Sequence, residues 1–186
     1  MSAKGGTSKT TLAINIAAEL NRVEQDCCLV DTDPQGSLAS FISHNHFVDC
    51  YQLEGNFKSI EQIQHDVVIV DSAPVIQQGV TEELIKIADF ILIPCRISKF
   101  DIESNKNLIK LCEAYNKPYA IVWTQTDQYL FKYIDKSVKA LTTRFHKSID
   151  VVKATEQNKT LVEINSKLMA NVQLILQEIV EEYQHV

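Results

Sequence analysis

The sequence predicts a doubly wound α/β fold, with a mainly parallel sheet flanked by helices. Three observations carry this prediction. Two short apolar runs, Cys27-Cys28-Leu29-Val30-Asp31 and Val67-Val68-Ile69-Val70-Asp71, are continuous rather than alternating and each ends in a carboxylate. Continuous hydrophobicity marks strands covered on both faces, as in a parallel sheet. Segments of helical periodicity alternate with such runs along the chain, the pattern of repeated strand-helix-strand units. Finally, a glycine-bearing loop, Lys4 to Thr11, opens directly into the first helix, and ligands of such folds collect at the carboxyl ends of strands.

Each element follows from its own pattern. Thr10 to Arg22 places Leu12, Ile16 and Leu20 four residues apart, an amphipathic helix. After the first strand comes a polar turn, Thr32-Asp33-Pro34-Gln35-Gly36, and Ser37 is positioned to cap a short helix through Ser43. The second strand, Val67 to Asp71, carries four consecutive β-branched residues. A helix is expected from Thr81 to Ala88 and a strand from Phe90 to Pro94. A helix from Asp101 to Tyr115 and a strand from Tyr119 to Trp123 come next. Leu130 to Arg144 reads as a basic helix, Val151-Val152 as a short edge strand, and Asn171 to Tyr183 as a closing helix. With no repeat, low-complexity tract or Pro/Gly/Ser linker, residues 1–186 read as one domain.

Composition narrows the function classes. The chain of 186 residues is 45% hydrophobic and 23% charged, an ordinary globular balance. No apolar run approaches the roughly 20 residues that a membrane helix needs. The first residues lack the pattern of a secretory signal, which predicts a cytoplasmic protein. The five cysteines, Cys27, Cys28, Cys50, Cys95 and Cys112, form no C-x-x-C pair; reduced core thiols are expected rather than a disulfide framework or metal site. A formal charge of -6 argues against a globally basic surface. Yet Gln128 to Leu168 holds eight basic residues (Lys132, Lys136, Lys139, Arg144, Lys147, Lys153, Lys159 and Lys167) against four acids (Asp135, Asp150, Glu156 and Glu163). That stretch is the candidate for a local basic face.

The loop Lys4-Gly5-Gly6-Thr7-Ser8-Lys9-Thr10-Thr11 has the chemistry of a phosphate cradle. Glycines let backbone amides crowd around phosphate oxygens, and the helix N-terminus adds partial positive charge. Lys9 can bridge outer phosphates, and the Thr10 hydroxyl is placed to ligate Mg²⁺. Against the usual G-x-x-x-x-G-K-[ST] pattern, Ala3 and Ser8 stand where glycines are expected.

Taken together, four ordered motifs resemble the ParA/MinD family of deviant Walker ATPases. Lys4, Gly5, Gly6, Lys9, Thr10 and Thr11 match that family's K-G-G-x-G-K-[ST]-T loop. Asp31-Thr32-Asp33-Pro34-Gln35-Gly36 matches its D-x-D-P-Q-G segment, and Val67 to Pro74 its Walker B strand and following switch. Ala88 to Pro94 is similar to its next strand. The resemblance implies a P-loop NTPase fold, ATP and Mg²⁺ as cofactors, and an ATP-bound homodimer. It implies that Lys4 crosses the dimer interface to the partner's nucleotide and that Asp33 orients the attacking water. Asp71 would hold or sense Mg²⁺ through water, and Asp31 is a further candidate near the metal. Gly5, Gly6, Thr7, Ser8, Lys9, Thr10 and Thr11 would bind the nucleotide, with Lys4, Lys9 and Asp33 catalytic.

The same resemblance, to short plasmid-type members, implies ATP-dependent partition of plasmid or chromosomal DNA. Such a protein binds DNA without sequence preference, in association with the nucleoid, and a ParB-like centromere-binding adaptor stimulates its hydrolysis. The DNA-facing candidates are Lys132, Lys136, Lys139, Arg144 and Lys147. The alternative is a nucleotide-binding positioning or regulatory protein for a protein cargo, with little ATPase activity. Membrane positioning of the MinD kind is discounted, because Leu174 to Tyr183 has no basic residue to meet lipid phosphate. Electron transfer of the nitrogenase iron protein kind is discounted for want of suitably placed cysteines.

Two departures from the family pattern set further expectations. A non-glycine residue at position 8 predicts a strained left-handed backbone, costing on the order of 1 kcal/mol. Only three residues precede Lys4, where the family has a full apolar strand, so the fold is expected to lack the strand before the phosphate loop. The expectation is either a start set too late, the reading favoured, or a truncated member of that family. At the base-binding end, Trp123 is expected to be a packing residue.

Overall fold

Residues 1–3, 5–73, 79–134 and 137–184 are described in the computed structural model. Among the described residues the chain forms six strands and six α-helices in the order α1(Lys9–Arg22), β1(Cys27–Asp31), α2(Ser37–Asn45), β2(Asp49–Gln52), β3(Val67–Asp71), α3(Val80–Ile87), β4(Ile91–Arg96), α4(Lys99–Ala114), β5(Tyr119–Thr126), β6(Phe145–His146), α5(Ile149–Glu156) and α6(Met169–Gln184). Two three-stranded sheets result, β2-β1-β3 and β4-β5-β6, and every strand pairing among them is parallel. Parallel neighbours need crossovers, which the intervening helices supply. Among the described residues no strand precedes α1.

The contacts divide the chain into two compact units. Residues 9–73 and 148–173 make one, built on β2-β1-β3. Its core joins Ala13, Ile14 and Ala17 of α1 to Cys27 and Leu29 of β1 and to Leu38 and Ile42 of α2. β1 is buried at every position, as its continuous apolar run requires. Its register on β3 aligns Asp31 with Asp71, so two carboxylates end neighbouring strands side by side. In α1, the Asn15 side chain accepts from the Leu161 amide, tying the later residues of this unit to the first helix.

The other unit comprises residues 1–8, 74–147 and 174–186 and is built on β4-β5-β6. Its core gathers Ile85, Ile91, Ile93, Leu108, Cys112, Ile121 and Trp123. Trp123 is 1% exposed, a packing residue as its sequence setting predicts. Cys27, Cys28, Cys95 and Cys112 are buried, and all five cysteines are free thiols. Burial pushes the Cys28, Cys50 and Cys112 thiols up to about 11. No cluster suited to a metal occurs among the histidine, cysteine and carboxylate side chains of the described residues.

Three expectations are corrected. Leu130 to Arg144 is not a helix. A 3-10 turn over Gln128–Tyr133 ends it early, and the chain then runs alongside β5, with the Ile121 amide donating to Lys139 and the Leu141 amide to Ile121. The Glu178 carboxylate of α6 accepts from the Thr142 amide at 2.6 Å and the Thr143 amide at 2.8 Å, and from the Thr143 hydroxyl. These bonds satisfy the backbone outside a helix and override local propensity. Val151-Val152 lies inside α5 rather than an edge strand, because Ser148 caps that helix by accepting from the Asp150 amide at 3.1 Å. Ser37 is not a cap but the first residue of α2; Gly36 holds the cap position with φ 62°.

Candidate functional site

The phosphate loop enters α1 at Lys9, and the helix ladder fixes the direction of the next side chain. There the Thr10 hydroxyl donates to Asp71 Oδ2 at 2.6 Å. Asp71 is 4% exposed at the end of β3, and burial pushes its carboxyl up, while the bond from Thr10 pulls it down. The Lys9 ammonium is pushed below its ordinary value by burial, an effect that Asp71 and Asp33 oppose by attraction. A cationic nitrogen, a hydroxyl and two carboxylates therefore converge where β1 and β3 end. Thr32 locks those ends together, its amide and its hydroxyl both donating to the Asp71 carbonyl at 3.0 Å.

Asp31 and Asp33, two residues apart, have different tasks. Asp31 is fully buried. Its Oδ1 accepts from the Asp33 amide at 2.9 Å, and its Oδ2 accepts from the Leu38 and Ala39 amides at 3.1 Å each. It thus caps α2 from a distance, meeting the positive end of that helix with a full charge. This is what makes a side-chain cap from Ser37 unnecessary. The half-buried Asp33 shapes the turn: its Oδ1 accepts from the Gln35 amide at 2.9 Å, and its carbonyl accepts from the Gly36 amide at 2.8 Å. Glycine is favoured at position 36, where φ is 62° and a Cβ would stand 3.3 Å from Gln52 Nε2.

The loop residues that precede Lys9 belong to the other unit and are held there by the end of β5. Gln125 Nε2 donates to the Gly6 carbonyl at 2.6 Å and to Ser8 Oγ at 3.3 Å. The Thr124 hydroxyl donates to the Thr7 carbonyl at 3.1 Å. These contacts engage two loop carbonyls and the Ser8 hydroxyl. Gly6 has φ 69° and Ser8 φ 68°, so the expected left-handed strain at position 8 is present. Gln125 itself lies at a register irregularity between β5 and β6, with φ 51°. Thr124 and Gln125 escape sequence reasoning; their only signal is the switch from apolar to polar residues after Trp123.

Lys4 lies outside the described residues, as does Lys136. Among the other basic candidates, Lys132 is exposed on the 3-10 turn with its ammonium 5.0 Å from the centre of the Tyr133 ring. Lys139 pairs with Glu182 at 2.8 Å. Arg144 is half-exposed and Lys147 exposed. They do not share a helix face.

Hard oxygen donors at Thr10 and Asp71 beside a lysine suit Mg²⁺ and a polyphosphate, the donor chemistry that such ions prefer. Parallel sheets flanked by helices, with a glycine loop running into α1, define a nucleotide-binding P-loop NTPase fold. The family model of the CobQ/CobB/MinD/ParA nucleotide binding domain matches residues 1–179, and the chain belongs to that family.

Among relatives, a maintenance of carboxysome distribution protein A from Halothiobacillus neapolitanus is 32% identical over 144 residues, 67% of this chain and 63% of that protein. The matched stretch thus spans less than two thirds of that relative. A plasmid partition protein from Borrelia burgdorferi bound to AMPPNP superposes with a TM-score of 0.79 at 17% identity, over 98% of this chain and 97% of that one. The MinD cell division protein of Aquifex aeolicus gives 0.77 at 17% identity, over 95% of each chain. These two share the fold.

Proposed function

We propose that this chain is a Mg-ATP-driven positioning ATPase that moves cargo over DNA. The observation that carries the reading is the 2.6 Å contact from Thr10 to Asp71, directly after Lys9 at the end of the glycine loop. In this reading Thr10 and Asp71 hold Mg²⁺, Asp71 through water. Lys9 and the amides of Gly5, Gly6, Thr7, Ser8 and Thr11 bind the phosphates. When bound, the metal neutralises charge on the phosphate oxygens. Asp33, whose second carboxylate oxygen is not used by the Gln35 turn, orients the attacking water. Lys4 reaches the nucleotide of a second copy, so ATP closes a homodimer.

The dimer binds DNA without sequence preference through Lys132, Lys136, Lys139, Arg144 and Lys147, associates with the nucleoid in the cytoplasm, and responds to a ParB-like adaptor. The cargo divides the reading in two. Partition of plasmid or chromosomal DNA follows from the family motifs. Positioning of a protein assembly, with slow hydrolysis, is favoured by the 32% identity to the Halothiobacillus carboxysome distribution protein.

Phosphate release and size-exclusion chromatography with and without Mg-ATP test the shared core. ATP should produce a dimer, Lys9→Ala should abolish nucleotide binding, and Asp33→Ala should leave a dimer that no longer releases phosphate. A monomer that ignores ATP sinks the proposal. Duplex-DNA binding that requires ATP and falls steeply with salt is expected. Reversing Lys132, Lys136 and Lys139 to Glu should weaken it; if DNA binding is untouched, the surface lies elsewhere. Isolation of the ATP-bound dimer with its adaptor then separates DNA cargo from protein cargo.

A further inference from the structure

The end of β5 grips two consecutive peptide groups of the glycine loop. Gln125 Nε2 donates to the Gly6 carbonyl at 2.6 Å, and the Thr124 hydroxyl donates to the Thr7 carbonyl at 3.1 Å. In a planar trans peptide the carbonyl and the N–H that follows it point in opposite directions. Holding the Gly6 carbonyl therefore turns the Thr7 amide away from Gln125. Holding the Thr7 carbonyl likewise turns the Ser8 amide away from Thr124. These are two of the amides assigned to the phosphates, and successive amides aimed to one side form the concavity that binds an anion.

Ending a strand does not demand this arrangement. Gln125 holds φ 51° at the register irregularity between β5 and β6, and it is exposed, so water would serve its side-chain amide as well. Ser8 holds φ 68°, and its Oγ accepts from the same Nε2 at 3.3 Å. Two non-glycine residues thus keep left-handed backbones on the two sides of one side-chain contact. Strain of this kind persists where the surroundings over-determine it, and it collects at ligand clamps. Glycine at position 8 would hold the turn without steric penalty, whereas serine left to itself moves to negative φ.

We propose, on the reading that this loop binds Mg-ATP, that Gln125 is a positioning residue that keeps the phosphate loop in its binding form and stands in for the glycine that position 8 lacks. Without its bond, Ser8 relaxes in a fraction of the molecules, and apparent nucleotide affinity falls in proportion to the fraction that remains in place.

Gln125→Met keeps the length of the side chain and removes its donor. Titration of the full chain with mant-ATP and Mg²⁺ should show binding weakened about three- to tenfold, the effect of one lost hydrogen bond. Backbone ¹⁵N relaxation without nucleotide should show lower order parameters at Thr7 and Ser8, with those of β5 unchanged. A second change separates positioning from general support of the strand. Ser8→Gly added to Gln125→Met should restore most of the lost affinity, while in the parent chain it changes affinity far less. A side chain that only supports β5 gives no such rescue. Unchanged affinity, unchanged order parameters in the loop, or a loss that Ser8→Gly does not recover each overturns the proposal. If the parent chain binds no nucleotide, the function proposed above falls, and the relaxation of Thr7 and Ser8 alone decides the role of Gln125.

Discussion

The Thr10 hydroxyl donates to the Asp71 carboxylate over 2.6 Å, joining the first turn of α1 to the end of β3. Burial raises the Asp71 carboxyl above its ordinary value. The folded chain therefore holds that proton at pH values where the unfolded chain has released it. Stability contributed by the protonated form is lost as pH climbs from the ordinary carboxylate range through the raised value. Asp71→Asn removes the buried charge while keeping an acceptor for Thr10. Thermal melts without nucleotide should show a higher Tm for Asp71→Asn at neutral pH, with the gain shrinking in acid. The same variant should lose the extra stability that Mg-ATP gives the parent protein.

Asp31 satisfies three backbone amides from a fully buried position. Asp31→Ala strands those donors and removes the charge facing the start of α2. Urea unfolding should register a loss of about 2–4 kcal/mol, combining a lost cap with charge-assisted bonds. If the loss is below about 0.5 kcal/mol, a typical figure for an inconsequential surface change, the carboxylate is not the cap of that helix.

Ser8 holds a left-handed backbone, φ 68°, that glycine adopts without steric penalty. Ser8→Gly removes this strain and also the 3.3 Å bond from Gln125. Relieved strain is opposed by the unfolded-state entropy that glycine adds and by the lost bond, so chemical denaturation should register a net change within about 1 kcal/mol. Calorimetric titration with ATP should show binding at least as tight as the parent's. Weaker binding would mean that Ser8 contributes a contact of its own.

Glu178 holds the Thr142 and Thr143 amides and so fixes the chain beside β5. Glu178→Ala should cost about 1.5–3 kcal/mol, the range for hydrogen bonds to a charged acceptor. Hydrogen exchange should show the amides of residues 142 and 143 losing protection ahead of those in β5. Uniform loss across the unit would instead point to a global effect.

Much of the fold was legible because apolar runs ending in a carboxylate leave a direct trace in composition. The runs Cys27 to Asp31 and Val67 to Asp71 form strands with the expected ends, and α1 departs from its expected start by one residue. The expected cover on both faces holds for β1, buried throughout, but not for β3, where Val67 to Val70 are only half-buried at an edge of β2-β1-β3. β2, Asp49–Gln52, left no such trace: it is an edge strand with exposed polar positions, placed by pairing with β1. Within the site, the glycine loop, Lys9, Thr10 and Asp71 were legible because phosphate and metal chemistry restricts residue type and order. The partners Thr124 and Gln125 lie more than 110 residues away, and no local pattern connects them to the loop.

By itself the sequence determined the parallel α/β class, the phosphate loop and the strand-end carboxylates, since each rests on local periodicity or on chemistry confined to a few adjacent residues. Tertiary structure alone decided what each carboxylate does. Asp31 and Asp33 are near-identical in sequence setting, yet one is buried against the amides of α2 and the other turns a half-buried loop. It also decided that Leu130 to Arg144 is not a helix, because distant acceptors, Glu178 and the backbone of β5, satisfy its amides better than its own turns would.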